Sequence, residues 1–431
     1  MSAFRHDRAH LVSPGVPLAV VRASTTEDVV ASLRWAHEHG VPVVPRGAGT
    51  GLAGGASAIE GGLVLCTTRM DAILEISVPD QLAVVEAGVV TGDLDRAAAA
   101  HGLMYAPDPG SVDTCTIGGN VATNAGGLRC AKYGVTRDSV LGLKVVLADG
   151  RVLETGGRTV KNVAGYDLTA LMTGSEGTLG VVTEVVVRLR PRPVALATIV
   201  GTFPTGRHAG AAAAGVMAAG LQPSLLELMD RSIVEAINSW KGLGLDGTGA
   251  VLLAQADGPT SAADAARIRT HFEAAGAETV TVSDSATEAH ELAEVRRLAF
   301  PATERLGSCL VEDVGVPRSR LPDLIDRIEE IGVRHGVRIM TVAHAGDGNA
   351  HPTFVFDPGP DGAVPPRVWS AADEVFSAAL SMGGTLSGEH GVGVLKQRWL
   401  ASQVGDVAMD VQRAIKHALD PLGLLNPGRA I

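Results

Sequence analysis

Cysteine is scarce. Only Cys66, Cys115, Cys130 and Cys309 occur in 431 residues, and no two form a C-x-x-C pair. That spacing excludes a self-contained iron–sulfur cluster, which needs close thiolates, and a disulfide framework, which needs many more in a chain this long. Long apolar runs are missing too: none reaches the ~18–20 residues that span a bilayer. The opening Met-Ser-Ala-Phe-Arg-His-Asp lacks the charged-then-apolar layout of a secretory signal. A cytoplasmic protein is therefore expected. Positive charge is not concentrated anywhere; the net charge is −11 and no Lys/Arg stripe forms, which argues against a nucleic-acid partner. Aromatic residues make up 3% against 46% hydrophobic in total, as in an Ala- and Gly-rich soluble α/β protein. The length exceeds the usual size of one core, so two domains are expected.

Glycine, by contrast, is abundant and grouped. Thr116–Gly127 reads Thr-Ile-Gly-Gly-Asn-Val-Ala-Thr-Asn-Ala-Gly-Gly, with no charge and nothing larger than Ile117. Such a run has too little apolar side chain to fill a core. It suits main chain that approaches something flat and polar, since Gly removes the Cβ that would block the approach. Amide groups along turns of this kind accept phosphate oxygens. The alternative is a surface loop that needs positive φ angles. A second run, Pro45–Gly55 (Pro-Arg-Gly-Ala-Gly-Thr-Gly-Leu-Ala-Gly-Gly), follows the strand candidate Val41–Val44. Gly47, Gly49 and Gly51 give G-x-G-x-G with no acidic residue closing a βαβ unit, so this is no Rossmann fingerprint. The Gly-Lys-Ser/Thr ending of a P-loop is also missing. Two backbone-donor loops without either fingerprint point to another diphosphate-binding fold.

In chain order, Ser24-Thr25-Thr26-Glu27 has capping-box spacing before a helix that turns Val29, Val30, Leu33 and Ala36 inward and stops at Gly40. Strands are expected at Val41–Val44, Leu63–Cys66 and Ala83–Glu86, a hairpin over Leu141–Glu154, and a long β-branched strand at Val181–Leu189. Pro191 and Pro193 mark a boundary. Beyond it, strand candidates at 195–203, 225–229, 250–256 and 279–282 alternate with helical stretches at 207–219, 231–239 and 260–275. Helices also fit 287–300 and 321–335. An α+β layout of the ferredoxin-like kind is the natural architecture.

The strongest chemical signal is Ala343-His344-Ala345-Gly346-Asp347-Gly348-Asn349-Ala350-His351. The apolar strand Val337–Val342 delivers two histidines around a tight Asp-Gly-Asn turn, which can fold both imidazoles onto one point. Glu389, in Ser387-Gly388-Glu389-His390-Gly391-Val392-Gly393, is a third ligand candidate. Two imidazoles and a carboxylate leave an open position, as in a catalytic Zn²⁺ site. The alternative is a pair of hydrogen-bonded loop histidines.

Taken together, the 45–55 loop, Pro107-Asp108-Pro109-Gly110-Ser111, the 116–127 run, Lys132-Tyr133-Gly134 and Gly174-Ser175-Glu176-Gly177-Thr178-Leu179-Gly180 resemble the FAD domain of the vanillyl-alcohol oxidase/p-cresol methylhydroxylase superfamily. The motifs run in order over nearly the whole chain, with the nearest likeness to the D-lactate dehydrogenase/glycolate oxidase flavoproteins. The resemblance implies a two-part PCMH-type FAD-binding domain (1–193), a ferredoxin-like α+β cap (194–386) and a C-terminal segment (387–431) that returns to the FAD domain. It implies flavin contacts at Pro45, Arg46, Gly47, Ala48, Gly49, Thr50, Gly51 and Leu52, and at Pro109 and Gly110. Further contacts are implied at Thr116, Gly118, Gly119, Asn120, Ala122, Thr123, Asn124 and Gly126, then at Glu176, Gly180, Val181 and Asn426. Thr50 stands where some superfamily members attach flavin through a histidine, so non-covalent FAD is expected.

The histidine run is similar to the family's His-x-Gly-Asp-Gly-Asn-x-His signature, and the later run to its Glu-His-Gly-x-Gly. A divalent metal, expected to be Zn, on His344, His351 and Glu389 follows from that likeness. His390 is expected as general base, because an imidazole titrating near neutrality suits removal of a hydroxyl proton; orienting Glu389 is its alternative role. Asn349 of the same signature is placed with the catalytic residues. Arg296, before Ala-Phe-Pro as in the family, is expected to bind the substrate carboxylate. In the stretch Leu310–Val314, D-2-hydroxyglutarate dehydrogenases carry a Lys for the distal carboxylate; this chain has Val311 and Glu312, which favours a monocarboxylate.

The expected activity is FAD-dependent oxidation of a small 2-hydroxy acid, D-lactate or glycolate, with electrons passed to an external acceptor such as an iron–sulfur subunit. Two rivals are an oxygen-using flavin oxidase of another alcohol and a non-catalytic flavin-binding subunit of a redox complex.

Overall fold

The structure is a computed structural model that describes residues 2–244, 249–359 and 362–431. The chain divides into two compact units. The first comprises Met1–Gly127, Gly134–Arg192 and Glu389–Ile431, and the second Leu128–Tyr133 and Pro193–Gly388. Leu128–Tyr133 groups with the second unit, where the Tyr133 hydroxyl donates to Asp257 at 2.6 Å and Lys132 pairs with the same carboxylate.

Among the described residues, two larger sheets and a two-stranded pair, Leu103–Met104 with Arg190–Pro191, build the first unit. One is parallel, in the order Ala19–Arg22, Leu63–Cys66, Val43–Arg46. It is covered by the helix Thr26–His39, whose Val29, Leu33 and Ala36 are buried in the apolar cluster below it. The capping box that starts this helix lies one residue later than the Ser24–Glu27 spacing suggested. Thr25 accepts from the Asp28 amide at 3.2 Å, and the Asp28 carboxylate takes the Ser24 and Thr25 amides. The chain returns to this sheet near its end: the Val43 amide donates to Leu424, and the Asn426 amide to Val43.

The other sheet is antiparallel, in the order Ile73–Ser77, Leu82–Glu86, Val181–Arg188, Val140–Val146, Val152–Gly156. On it packs a helix that the glycine-rich composition concealed, Ile117–Thr123. Glycine is a poor helix former, but Ile117 and Val121 lie four apart on one face and are fully buried against this sheet's core. Tertiary packing thus outweighs propensity. Thr116 caps the helix and Asn124, at φ 52°, ends it.

The second unit is built on one antiparallel sheet. Its order is Thr279–Ser283, Leu196–Phe203, Ala250–Asp257, Leu225–Asp230, Arg338–His344, Asn349–Phe356, Ser308–Val311, and Val314–Gly315 also pairs with Asn349–Phe356. Met229, Val251, Met340 and Val355 cover one face together with the helices Arg231–Lys241 and Ala299–Glu304. The helix expected over 287–300 is interrupted: Ala286–Arg297 stops before Leu298, and Ala299–Glu304 begins anew. Pro301 has no amide hydrogen for the Arg297 carbonyl and crowds it, which breaks the ladder at that point. Among the described residues no helix is long and apolar enough to cross a membrane.

Candidate functional site

In the first unit the two glycine loops pack on one another. A Cβ on Gly47 would lie 2.5 Å from Thr116 Oγ1, and one on Gly118 would lie 2.6 Å from Ala87 Cβ. Arg46 is buried, donates to the Ala56 carbonyl at 3.0 Å and lies against Gly49, so its guanidinium braces the first loop. Burial pulls its pKa down, and the charge of Asp7 acts the other way. Several other candidate flavin residues have side chains committed to the protein itself. Asn120 donates to Thr91 at 2.7 Å, Asn124 accepts from the Arg137 amide at 2.9 Å, and Thr123 donates to the Gly119 carbonyl at 3.3 Å. Gly180 abuts Val145, and Val181 opens a strand. Pro109 and Gly110 form a turn closed by the Val112 amide on the Pro109 carbonyl.

What these segments offer a ligand is main chain, and the fit to a flavin dinucleotide can be tested on the glycines. Packing dictates Gly47 and Gly118. Nothing in the protein dictates Gly51, whose Cβ would meet only an Asp7 oxygen at 3.9 Å, or Gly110, whose Cβ would meet nothing within 4 Å; neither adopts a positive φ. Backbone left bare where the protein has room for a side chain is a cradle that a Cβ would fill. A second observation agrees. Asn426, 2% exposed, donates to the Gly55 and Glu176 carbonyls at 3.0 and 2.8 Å, yet its buried Oδ1 has no hydrogen-bond partner. The segments around Gly51, Gly110 and Asn426 fit the group.

The Glu176 side chain is likewise committed to the protein itself. Its carboxylate accepts the Val392 amide at 2.7 Å and the Gly393 amide at 2.8 Å, and a Cβ on Gly391 would collide with it. Burial raises its pKa, while those two amides oppose the shift. Glu176 therefore anchors the loop that directly follows Glu389 and His390, both half-buried.

In the second unit the hairpin of Arg338–His344 and Asn349–Phe356 pairs His344 with Asn349 and Val342 with His351. His344 and His351 are then diagonal neighbours on one face. Their rings meet edge to face with centroids 4.9 Å apart, and their ligand nitrogens lie within 4.8 Å of each other. Both are buried. Next to them stand two carboxylates that sequence reasoning missed. Glu227, the direct cross-strand partner of His344, takes Nδ1 of that ring at 2.7 Å. Its other oxygen takes Arg296 Nε at 2.9 Å. Asp313 lies 3.7 Å from His351 Nδ1 and accepts from Asn349 Nδ2 at 2.6 Å and from the Ser387 hydroxyl at 3.0 Å.

A carboxylate on one ring nitrogen fixes the tautomer and turns the other nitrogen towards a metal. Glu227 does this for His344, and the imidazole pair fits a divalent, borderline-soft ion. Arg296 is buried in this cluster, whereas Arg297 pairs with Glu294 one turn back on its own helix. Glu312 and Asp313 are both buried. The signal that could have found Glu227 is a carboxylate inside the apolar run Leu225-Leu226-Glu227-Leu228-Met229, since a buried charge needs a partner.

Comparison with known proteins agrees with the geometry. An FAD binding domain model matches residues 17–156, and the model of the FAD linked oxidases, C-terminal domain, matches residues 192–430. The glycolate oxidase subunit GlcD of Bacillus subtilis is 42% identical over 96% of this chain and 89% of its own length. A D-lactate dehydrogenase of Archaeoglobus fulgidus is 36% identical over 100% of this chain and 95% of its own. The crystal structure of p-cresol methylhydroxylase with substrate bound shares the fold, with a TM-score of 0.82 at 17% identity over 99% of this chain and 91% of that one. Two consecutive domain models and full-length relatives place the chain in one family: it belongs to the FAD-linked oxidases, an oxidoreductase with a PCMH-type flavin domain.

Proposed function

We propose that the protein oxidises a small 2-hydroxy acid, D-lactate or glycolate, to the 2-oxo acid and passes the electrons to an external acceptor. The observation that carries this reading is the buried set Arg296, Glu227, His344 and His351, which gathers a cation for a carboxylate and a metal-ligating pair in one unit. The names of the relatives, glycolate oxidase subunit and D-lactate dehydrogenase, support the same substrate class.

Oxidation of a 2-hydroxy acid removes the hydroxyl proton and a hydride from Cα; FAD, when bound, supplies the hydride acceptor. The chain's own residues do the rest. Arg296 binds the substrate carboxylate through the guanidinium nitrogens that Glu227 does not engage. His390 Nε2 or Nδ1 accepts the hydroxyl proton. His344, His351 and Glu389 would hold a divalent metal, Zn in the first instance, which would supply Lewis acidity there. Asn349, fixed by Asp313, lies directly across from His344. The buried acids Glu312 and Asp313 disfavour a second carboxylate on the substrate. The scattered cysteines leave no cluster to carry electrons onward, and a relative named as a subunit supports a separate acceptor protein.

Dye-linked assays on the FAD-loaded protein test this with D-lactate, L-lactate, glycolate and D-2-hydroxyglutarate. Turnover of D-lactate or glycolate at a kcat/KM about tenfold or more above the dicarboxylate is expected. A protein that retains FAD and oxidises none of them refutes the proposal.

A further inference from the structure

We infer that Glu227 is a positioning residue that couples the metal-binding histidine to the substrate-binding arginine. The inference deepens the functional reading above and rests on it only for the names of the two ligands. Glu227 is fully buried, and its two oxygens serve two different elements: Oε1 holds His344 Nδ1 at 2.7 Å, and Oε2 holds Arg296 Nε at 2.9 Å. An ionised carboxylate only accepts hydrogen bonds, so His344 must donate from Nδ1, which puts the lone pair on Nε2, where a metal binds. The same carboxylate fixes the guanidinium by Nε and so sets the direction of its terminal nitrogens.

Each bond constrains the rotamer on which the other depends. A change at either end is therefore felt at the opposite end through one side chain. His351 shows what a separate arrangement looks like. Asp313, its neighbouring carboxylate, is tied to Asn349 and Ser387 instead of to a substrate-binding cation. The hairpin thus carries one histidine bonded to the carboxylate that also holds the arginine, and one beside a carboxylate held by the scaffold.

Glutamine cannot replace Glu227 in this role. It has one acceptor oxygen and one amide donor, so it serves either His344 or Arg296 and sets a donor against the other. The test is a double-mutant cycle read on Zn²⁺ affinity, measured by equilibrium dialysis of the FAD-loaded protein without substrate. Glu227→Gln is expected to weaken Zn²⁺ binding about tenfold or more at unchanged FAD content. Arg296→Met, which removes no metal ligand, is expected to shift Zn²⁺ affinity about threefold or more, and to add nothing further in the Glu227→Gln background.

Zn²⁺ affinity unchanged in Glu227→Gln, additive effects of the two substitutions, or an unsubstituted protein that binds no Zn²⁺ would each overturn the coupling. Where one variant fails to retain FAD, the other read alone decides. Dialysis is independent of turnover: an intact cycle in a protein that oxidises no 2-hydroxy acid would sink the functional reading and leave the coupling standing. In an active protein, Glu227→Gln should also raise KM more than it lowers kcat, since Arg296 loses its orientation for the ground-state carboxylate.

Discussion

Around Gly47 and Gly118 the first unit presents main chain, and around His344 and His351 the second presents polar side chains. The glycine loops expose backbone whose neighbouring side chains, Arg46, Asn120 and Asn124 among them, are used up in holding the loops. The histidine hairpin is ordinary sheet, and what sets it apart is the carboxylates and cation laid beside it. A site of the first kind tolerates changes of chemistry and suffers from added volume. One of the second kind tolerates small changes of volume and suffers from a lost charge or acceptor.

His390 cuts across this division, because its imidazole rides on a loop that Glu176 holds by backbone amides. His390→Ala should therefore slow flavin reduction by substrate about 10²–10⁴-fold with FAD content unchanged, read by anaerobic stopped flow. A loss of FAD with the activity would place His390 on the backbone side of the division instead.

Next in size is Asp230, which belongs wholly to the side-chain regime. It is buried, caps the helix Arg231–Lys241 through the Ile233 amide at 2.8 Å, and also accepts the Thr341 amide at 2.6 Å on the strand leading to His344. Asp230→Ala leaves both donors unmet and should cost about 2–4 kcal/mol in chemical denaturation. Burial raises the pKa of Asp230 to about 7, against the backbone donors that lower it. The folded state then holds a proton that the unfolded state releases above pH ~4, so this group's contribution to stability falls as pH rises to about 7. Asp230→Asn should flatten that slope between pH 4 and 7, and an unaltered slope would show that the carboxyl ionises as in the unfolded chain.

Volume should matter more than chemistry in the first unit. Gly118→Ala drives a methyl into Ala87 and should cost about 1–3 kcal/mol of stability. Gly110→Ala, with open space around the new methyl, should leave the melting temperature within a degree or two while raising the FAD Kd about fivefold or more. Equal effects of the two substitutions on FAD would erase the distinction between glycines kept for packing and glycines kept for the ligand.

The same division explains what could be read from sequence. The fold class was legible because the glycine runs and the strand–helix alternation lie in local sequence; the helix Leu321–His335 falls where its apolar periodicity puts it. Ile117–Thr123 was missed because its stability comes from Ile117 and Val121 meeting a distant sheet. At the site, the histidines were visible because a hairpin keeps them close in sequence. Glu227 lies 117 residues before His344, and Asp313 36 before Asn349. Only strand pairing brings them together, and no local spacing encodes it. Arg296 was distinguishable from Arg297 by resemblance, while its burial and its bond to Glu227 required the fold.

The most direct test is the visible absorption spectrum of the purified protein under anaerobic conditions, before and after D-lactate, L-lactate, glycolate and D-2-hydroxyglutarate are added in turn. A flavin band bleached by D-lactate or glycolate is the predicted result. A flavin band that no 2-hydroxy acid bleaches would contradict the proposed function, and a colourless protein that takes up no added FAD would contradict the cofactor assignment on which it stands.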